Sequence, residues 1–436
     1  MAHTFFDTNE LDTRIRLNFE HLRDDPYYHI EQVFPPMEYD WYGDKEGRAL
    51  LAFVSHYKIS GQKIPCMDEM MRLMEEKTNE HSFFGPLAGE VIHEQQLSGH
   101  SWLLRGLCEH YEQFGDEQSL RMIQCIWEHL YRPTMGAYGT YPIHRDGGNE
   151  GGVSGSSVGT SGRWHLSTDV GCAFMSIDGL SHAYKILKDA DIKTVLDEMI
   201  GTYLAIDKVA LKAQTHCTLT AARGMMRMYD ETKDASYLDG ARAIYELYVH
   251  GGGMTYTYQN VNWWGRNDTW TEPCAIIDSL MLACQLFEAT GRDEYRAMAA
   301  RIYHNGLATA QRANGGAGTD DVVTTLDGGK DVLKSQMYEA PFCCTMRLAE
   351  GLWYINEHKE LLAATTHGTV EQQPNGTYMD GDILYAEITG ADGYLDASAA
   401  VTVDGRTLYP LLKYYRVARE DMDNIRQQII FPVEST

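Results

Sequence analysis

Positive charge is scarce in this 436-residue chain: 37 lysines and arginines stand against 62 aspartates and glutamates, so 37 − 62 = −25 at neutral pH. No basic run interrupts that excess, so nucleic acid and anionic membrane, both rich in phosphate, are not expected as partners. Long apolar stretches are missing too, and none approaches the roughly 20 residues a bilayer span needs. The opening MAHTFFDTNELDTRIRLNFEHL has no basic segment followed by an apolar one, so no export is expected. Nine scattered cysteines, an odd number, then read as free thiols or metal thiolates in a reducing compartment, and the expected location is the cytoplasm. The sequons at Asn267 and Asn375 carry no meaning in that setting. No glycine loop is followed by Lys-Ser/Thr, and neither HExxH nor G-x-S-x-G occurs, which argues against nucleotide and serine-hydrolase chemistry.

What is present, 44% hydrophobic against 23% charged residues, is enough for a large core. A helix-hairpin pattern recurs along it: SHYKISGQKIPCMDEMMRLM (55–74), EHYEQFGDEQSLRMIQCIW (109–127), HAYKILKDADIKTVLDEMI (182–200), RMYDETKDASYLDGARAIY (227–245) and QLFEATGRDEYRAMAARIY (285–303). Each copy has a helix ending in an aromatic, a turn near Gly or Lys-Asp, and a second amphipathic helix; the turns fall near 61, 115, 188, 233 and 291. Glycine releases the first helix at its C-cap and Asp or Glu favours the start of the next. Ile277, Leu280, Met281, Cys284 and Phe287 follow the spacing of a buried helical stripe, as do Leu219, Ala222, Met226 and Tyr229. Five hairpins and a degenerate N-terminal pair make about six, so the expected fold is mainly α, an (α/α)6 toroid over residues 1–360. A solenoid would show shorter, more regular periods.

Two stretches leave the helical pattern. GGNEGGVSGSSVGTSG (147–162) holds seven glycines and four serines and reads as a mobile loop, either a lid over a pocket or a plain insertion. From about 361 alternation and Gly/Asn turns, as in GTYMDGDILYAEI, predict a small β appendage over 361–436.

The chemistry concentrates in two helix starts. Glu272-Pro273-Cys274 opens one helix, and Cys343-Cys344 opens another 69 residues after Cys274. Three sulfurs and a carboxylate make a tetrahedral zinc set, and helix N-termini favour the thiolate form a metal requires. Buried free cysteines at helix starts would give the same pattern, and adjacent cysteines are a less usual ligand pair than Cys-x-x-Cys.

TEPCA followed by FCCTMRLAEGLWYI resembles the β-L-arabinofuranosidase family, glycoside hydrolase family 127 and its relatives. THCTLTAARGMMRMYDETKDASYLDGA (215–241), Gly251-Gly252-Gly253 and RIYHNGLATAQ (301–311) support the likeness, which spans roughly residues 90–358. The resemblance implies an (α/α)6 barrel and a retaining glycosidase in which Glu272, Cys274, Cys343 and Cys344 bind Zn2+. It also implies that Cys343 is the nucleophile, giving a thioglycosyl intermediate that water cleaves, and that His216 contacts the sugar. The family's acid/base glutamate lies about sixteen residues before the Glu-x-Cys glutamate. Here that position is near Tyr256, and residues 251–267 contain no carboxylate. Asp268 and Glu339 are the nearest replacements in sequence, and Tyr256 or Tyr258 would serve if its phenol were acidified. The long C-terminal β-sandwich of many relatives is shortened here.

Other residues admit both functional and plain readings. His93 and His100 share a helix face, and the Gly99-His100 pair resembles one at an inner-helix start in the family; pocket wall and core histidine are the alternatives. His165 and Asp169 lie where another inner helix begins, with sugar contact and capping as the alternatives. Trp263, Trp264 and Trp270 flank the key segment and would suit a sugar face or the core. The expected substrate contacts are thus His216, His100, His165, Trp264 and Tyr256, and the expected partner is a small oligosaccharide or glycoside, compatibly with a homodimer. Two rival functions keep the fold: a sugar epimerase using His100, His165 and His216, and a carbohydrate-binding protein without catalysis.

Overall fold

The computed structural model describes residues 8–34, 40–143, 154–255, 257–266, 269–320, 322 and 337–363. Beyond these it describes strand segments at 371–372, 377–380, 383–387, 401–403, 406–408, 410–411 and 414–418. Twelve long helices are found among the described residues: α1 (Thr8–Asp24), α2 (Asp44–Ser60), α3 (Met67–Lys77), α4 (Glu94–Phe114), α5 (Glu117–Ile126), α6 (Ser176–Leu187), α7 (Ala190–Ala205), α8 (Thr215–Thr232), α9 (Ala235–His250), α10 (Pro273–Thr290), α11 (Asp293–Arg301) and α12 (Cys344–Glu357). The even-numbered helices form the inner ring: each packs on the next, and α12 packs back on α2, closing the circle. The expected (α/α)6 toroid is therefore the fold.

The five predicted hairpins are all present, and their turns share one design. The residues at 61, 115, 188, 233 and 291 are left-handed, and their N–H groups donate to the carbonyls of Tyr57, Tyr111, Tyr184, Tyr229 and Phe287. Two of these positions are lysines, Lys188 and Lys233, which carry the positive φ that glycine takes in the other three. Asp116, Asp189 and Asp234 then cap α5, α7 and α9 through their side chains. Glycine also sets how closely inner helices approach. A Cβ on Gly47 would stand 2.2 Å from the backbone nitrogen of Leu103, so α2 and α4 meet backbone to backbone there.

The sixth pair differs from expectation. Among the described residues no N-terminal hairpin is found; the outer partner of α12, the last inner helix, is α1. The glycine-rich stretch also differs in part. Residues 144–153 lie outside the described residues, but Ser157–Ser161 is a strand, β2, antiparallel to β3 (Trp164–Ser167), which runs parallel to the two-residue β1 (Ile92–His93). Among the described residues beyond 361 there are seven strands: β4 (Glu371–Gln372), β5 (Thr377–Asp380), β6 (Ile383–Glu387), β7 (Val401–Val403), β8 (Arg406–Leu408), β9 (Pro410–Leu411) and β10 (Tyr414–Ala418). Five form a sheet in the order β4-β5-β6-β10-β9, and β7 pairs with β8.

Among the described residues only α10 is long and apolar enough to cross a membrane, and its residues from Pro273 to Leu286 are almost all buried in the inner ring. One hydrophobic cluster runs through all twelve helices. Inside it the barrel axis is charged. Arg105 of α4 reaches Asp178 of α6 (3.2 Å) and Glu350 of α12 (2.8 Å); Arg223 of α8 reaches Asp278 of α10 (2.9 Å) and Glu350 (3.3 Å); Arg347 of α12 bonds both Asp278 and Glu350. Each charge has opposite partners within the low-dielectric core, which is the condition for keeping it there.

Candidate metal and catalytic site at the barrel mouth

Because inner and outer helices alternate in direction, all six inner helices start at one end of the toroid. The segments leading into them are hydrogen-bonded to one another around the rim: Gln214 N–H donates to Val170 O, Thr215 N–H to Asn262 O, and Thr271 N–H to Asp320 O, each at 2.9 Å. Six helix N-termini thus converge on one mouth, where their dipoles favour negative charge.

Glu272 is the N-cap of α10, with Pro273 in the first helical position, where its missing N–H is not needed. Cys343 is the N-cap of α12. These neighbouring starts bring Glu272, Cys274, Cys343 and Cys344 together, each offering one ligand atom within 4.8 Å of the others. The Cys343 and Cys344 sulfurs are 3.3 Å apart, and those of Cys274 and Cys344 3.7 Å. Zinc–sulfur bonds of about 2.3 Å in a tetrahedron place sulfurs roughly 3.7 Å apart, so the set is close to preformed. The donor set fits in a second respect: Glu272 Oε2 is buried without a hydrogen-bond partner, whereas Oε1 lies 3.0 Å from His216 Nδ1. Of the three cysteines, Cys343 is the most exposed residue, at 9% against 0% for Cys274 and 1% for Cys344.

Charges around the trio are asymmetric. Burial would raise the Cys274 thiol, but hydrogen bonds from Cys343 and Cys344 and the charges of His216 and Arg48 outweigh it and hold Cys274 well below the usual thiol range. Cys343 is pushed up, chiefly by its hydrogen bond to that thiolate. Burial lowers His216, yet the Glu272 and Cys274 charges more than compensate and raise it. Arg48, from α2, places Nη1 3.7 Å from Cys274 Sγ, is held by Asp44 (2.9 Å) and stacks 4.0 Å above Trp102, which also lies against Arg347 (4.7 Å) and the His216 ring (5.8 Å). Asp44, Arg48 and Trp102 went unnoticed in the sequence because they sit inside helices with ordinary amphipathic patterns. A lone arginine at the start of a mostly buried helix was the available signal.

The mouth also holds Asp169, in the segment leading to α6. It is 6% exposed, Ser154 Oγ donates to its Oδ1 (2.9 Å), and burial followed by the Glu272 charge pushes its carboxyl up to about 7. In a ring of six, α6 stands across from α12, so Asp169 lies on the side of the mouth opposite Cys343.

The other expected site residues separate. His216 belongs to the site. His165 is half-buried on β3 at the rim, bonded to Ser157 and Thr160. His100 is fully buried: Phe84 N–H donates to Nε2, which leaves Nδ1 to donate to Gln96 O, so both nitrogens serve the backbone and none is left for a sugar. Trp264 is 1% exposed and packed in the main core, so it is no sugar platform. Tyr256 and Asp268 lie outside the described residues. Glu339 is an anchor: its Oε1 accepts from His21 (2.7 Å), Tyr28 (3.1 Å) and Thr345 (2.9 Å) and its Oε2 from Asn314 (2.8 Å). Those bonds outweigh its burial and hold the carboxyl at about 2, ionised and without a proton to give at neutral pH.

A closed toroid of six helix pairs with a ligand-gathering mouth defines the fold class, and comparison with known proteins agrees. The model of the β-L-arabinofuranosidase GH127 catalytic domain matches residues 180–357. A solved GH127 β-arabinofuranosidase is 14% identical, with a TM-score of 0.55 over 96% of this chain and 77% of that one. An unsaturated glucuronyl hydrolase specific for heparin (12%, TM-score 0.55, 82% and 100%) shares the fold. So does the cellobiose 2-epimerase of Bacillus thermoamylovorans (12%, TM-score 0.53, 80% and 98%). At such identities these structures speak for the fold alone. No curated protein sequence matches.

Proposed function

We propose that the protein is a retaining glycosidase that removes a terminal furanose, pentose or deoxy-sugar residue from a small glycoside, with Cys343 as nucleophile and zinc as the resident metal. The observation that carries this reading is the three-sulfur, one-carboxylate cluster with its orphaned Glu272 oxygen at the mouth. A zinc ion held by Glu272, Cys274, Cys343 and Cys344 would keep the sulfurs as thiolates at neutral pH.

In this reading Cys343 Sγ attacks the anomeric carbon and the bond to the leaving oxygen breaks, its electron pair taken up with a proton from Asp169. Asp169, now a carboxylate, draws a proton from water, which attacks the same carbon and expels the Cys343 sulfur. Two displacements retain configuration. Asp169 is favoured over Glu339 because its proton is still held near neutral pH, where a general acid works best. His216, fixed by Glu272, faces the sugar. All nine cysteines are free, which accords with a cytoplasmic location, and a homodimer is compatible with the same reading.

Cys343→Ser assayed on aryl pentofuranosides tests this, alongside the mass of protein quenched during turnover. Loss of turnover, with one glycosyl unit covalently attached to wild type only, is expected; unchanged turnover in the variant sinks the mechanism. Epimerisation would instead survive Cys343→Ser, but the commitment of His100 to backbone removes one of the three histidines that reading needs. Sugar binding without turnover on any glycoside would mark a protein that binds carbohydrate only.

A further inference from the structure

A second group of metal-ligating side chains lies on the other half of the mouth. β1 and β3 are parallel and pair His93 directly with His165. Residues opposite one another on neighbouring strands point to the same face, so the two imidazoles stand side by side, with ring centroids 4.8 Å apart and planes inclined by 38°. Asp40, from the segment before α2, brings a carboxylate to the pair, and the three ligand atoms all lie within 4.8 Å of one another. These residues come from the approaches to α2, α4 and α6, whereas the sulfur cluster belongs to α10 and α12, so the two groups share no residue.

We infer that Asp40, His93 and His165 form a second site for a divalent first-row transition metal, separate from the sulfur cluster. Two imidazoles and one carboxylate suit zinc, manganese, iron, cobalt or nickel; calcium and magnesium prefer all-oxygen sets. The three residues are each half-buried. An ion can therefore enter from solvent, and three protein ligands leave positions open for water or another oxygen donor. The surroundings are those of a built site. Ser157 Oγ lies 2.6 Å from His165 Nε2 and Thr160 Oγ1 3.1 Å from Nδ1, so a hydroxyl on β2 can take the ring N–H and set the tautomer while the other nitrogen ligates. Tyr42 OH donates to Asp40 Oδ1 (3.3 Å), steering the carboxylate and leaving Oδ2 for the ion. A chain of net charge −25 also concentrates cations near its surface.

Cobalt(II) is the probe, because a thiolate-bound ion shows sulfur-to-metal charge-transfer absorption and an imidazole–carboxylate ion does not. Full-length protein is titrated with cobalt, desalted, and its metal counted. Wild type is expected to hold a cobalt without charge-transfer absorption, in addition to any at the cysteines. His93→Gln and His165→Ala should weaken that ion at least about 10-fold and leave the charge-transfer band unchanged, and Ser157→Ala should weaken it by about 10-fold. Circular dichroism and melting temperature check folding, and Asp40→Asn serves if either histidine variant fails to fold. Wild type that binds only thiolate-type cobalt overturns the proposal. So does a sulfur-free cobalt retained at wild-type affinity by His93→Gln and Asp40→Asn.

Discussion

The barrel axis and the barrel mouth both collect buried charge, and they treat it in opposite ways. Along the axis, Arg105, Arg223 and Arg347 are matched by Asp178, Asp278 and Glu350, so the charges neutralise one another within the protein. At the mouth three sulfurs and the Glu272 carboxylate crowd within 4.8 Å of one another, and the Asp169 carboxyl is pushed up to about 7. Low dielectric makes an unmatched charge costly in both places, so the axis reads as structure and the mouth as a place prepared for something the chain does not itself supply.

Substitutions should separate the two regions. The largest effect belongs to the axis: Asp278→Ala leaves Arg223 and Arg347 with Glu350 as their shared carboxylate and should cost about 3–5 kcal/mol of stability, seen as a large fall in melting temperature; a near-unchanged melting curve would mean that this axis charge is dispensable. At the mouth, Cys343→Ser should keep the melting temperature within a few degrees while reducing kcat/KM by about 10³-fold or more, measured on an activated aryl pentofuranoside. Asp169→Asn should lower turnover about 10²–10⁴-fold on glycosides with poor leaving groups and much less on activated ones. Equal losses on both would remove Asp169 from the acid role.

The same aspartate gives a pH prediction with a defined sign. Its folded pKa, pushed up to about 7, exceeds its ordinary value of 3.8, so its stabilising contribution is present below about pH 4 and is lost as pH rises through about 7. Wild type should therefore lose melting temperature over that interval more steeply than Asp169→Asn; parallel slopes would contradict the shift. The smallest effect is expected at His100. His100→Gln should cost about 1 kcal/mol through one lost backbone hydrogen bond and leave KM unchanged, whereas a raised KM would return His100 to the sugar site.

The hairpins were legible because each is local: aromatic, left-handed turn residue and capping aspartate lie within a few residues, and the apolar period repeats. Glu272, Cys274, Cys343 and Cys344 were legible because two short motifs open two helices. The axis was not, since Arg105, Asp178, Arg223, Asp278, Arg347 and Glu350 are far apart in sequence and each looks like a stray charge on an apolar helix. Asp169 was seen without a clear role, because its environment comes from Ser154 and Glu272, brought near only by the ring. Trp264 and His100 were misjudged as sugar contacts for a related reason. An aromatic or a histidine beside a motif reads the same whether its side chain faces the cavity or the core.

The pairing of the first helix with the last inner helix carries a consequence for how the molecule comes into being. Asn18 Nδ2 donates to Thr345 O across 327 residues of chain, and His21 binds the Glu339 carboxylate just ahead of the cysteine pair. On a ribosome adding about 5–20 residues per second, α1 waits roughly 15 to 65 s for the segment it must dock against. Until that segment is made the hairpins can form no more than an open arc, because the last inner helix is missing. Activity would therefore arise only after the arc has closed, and an incompletely made chain would release neither a working nucleophile nor a stray thiolate cluster into the cell.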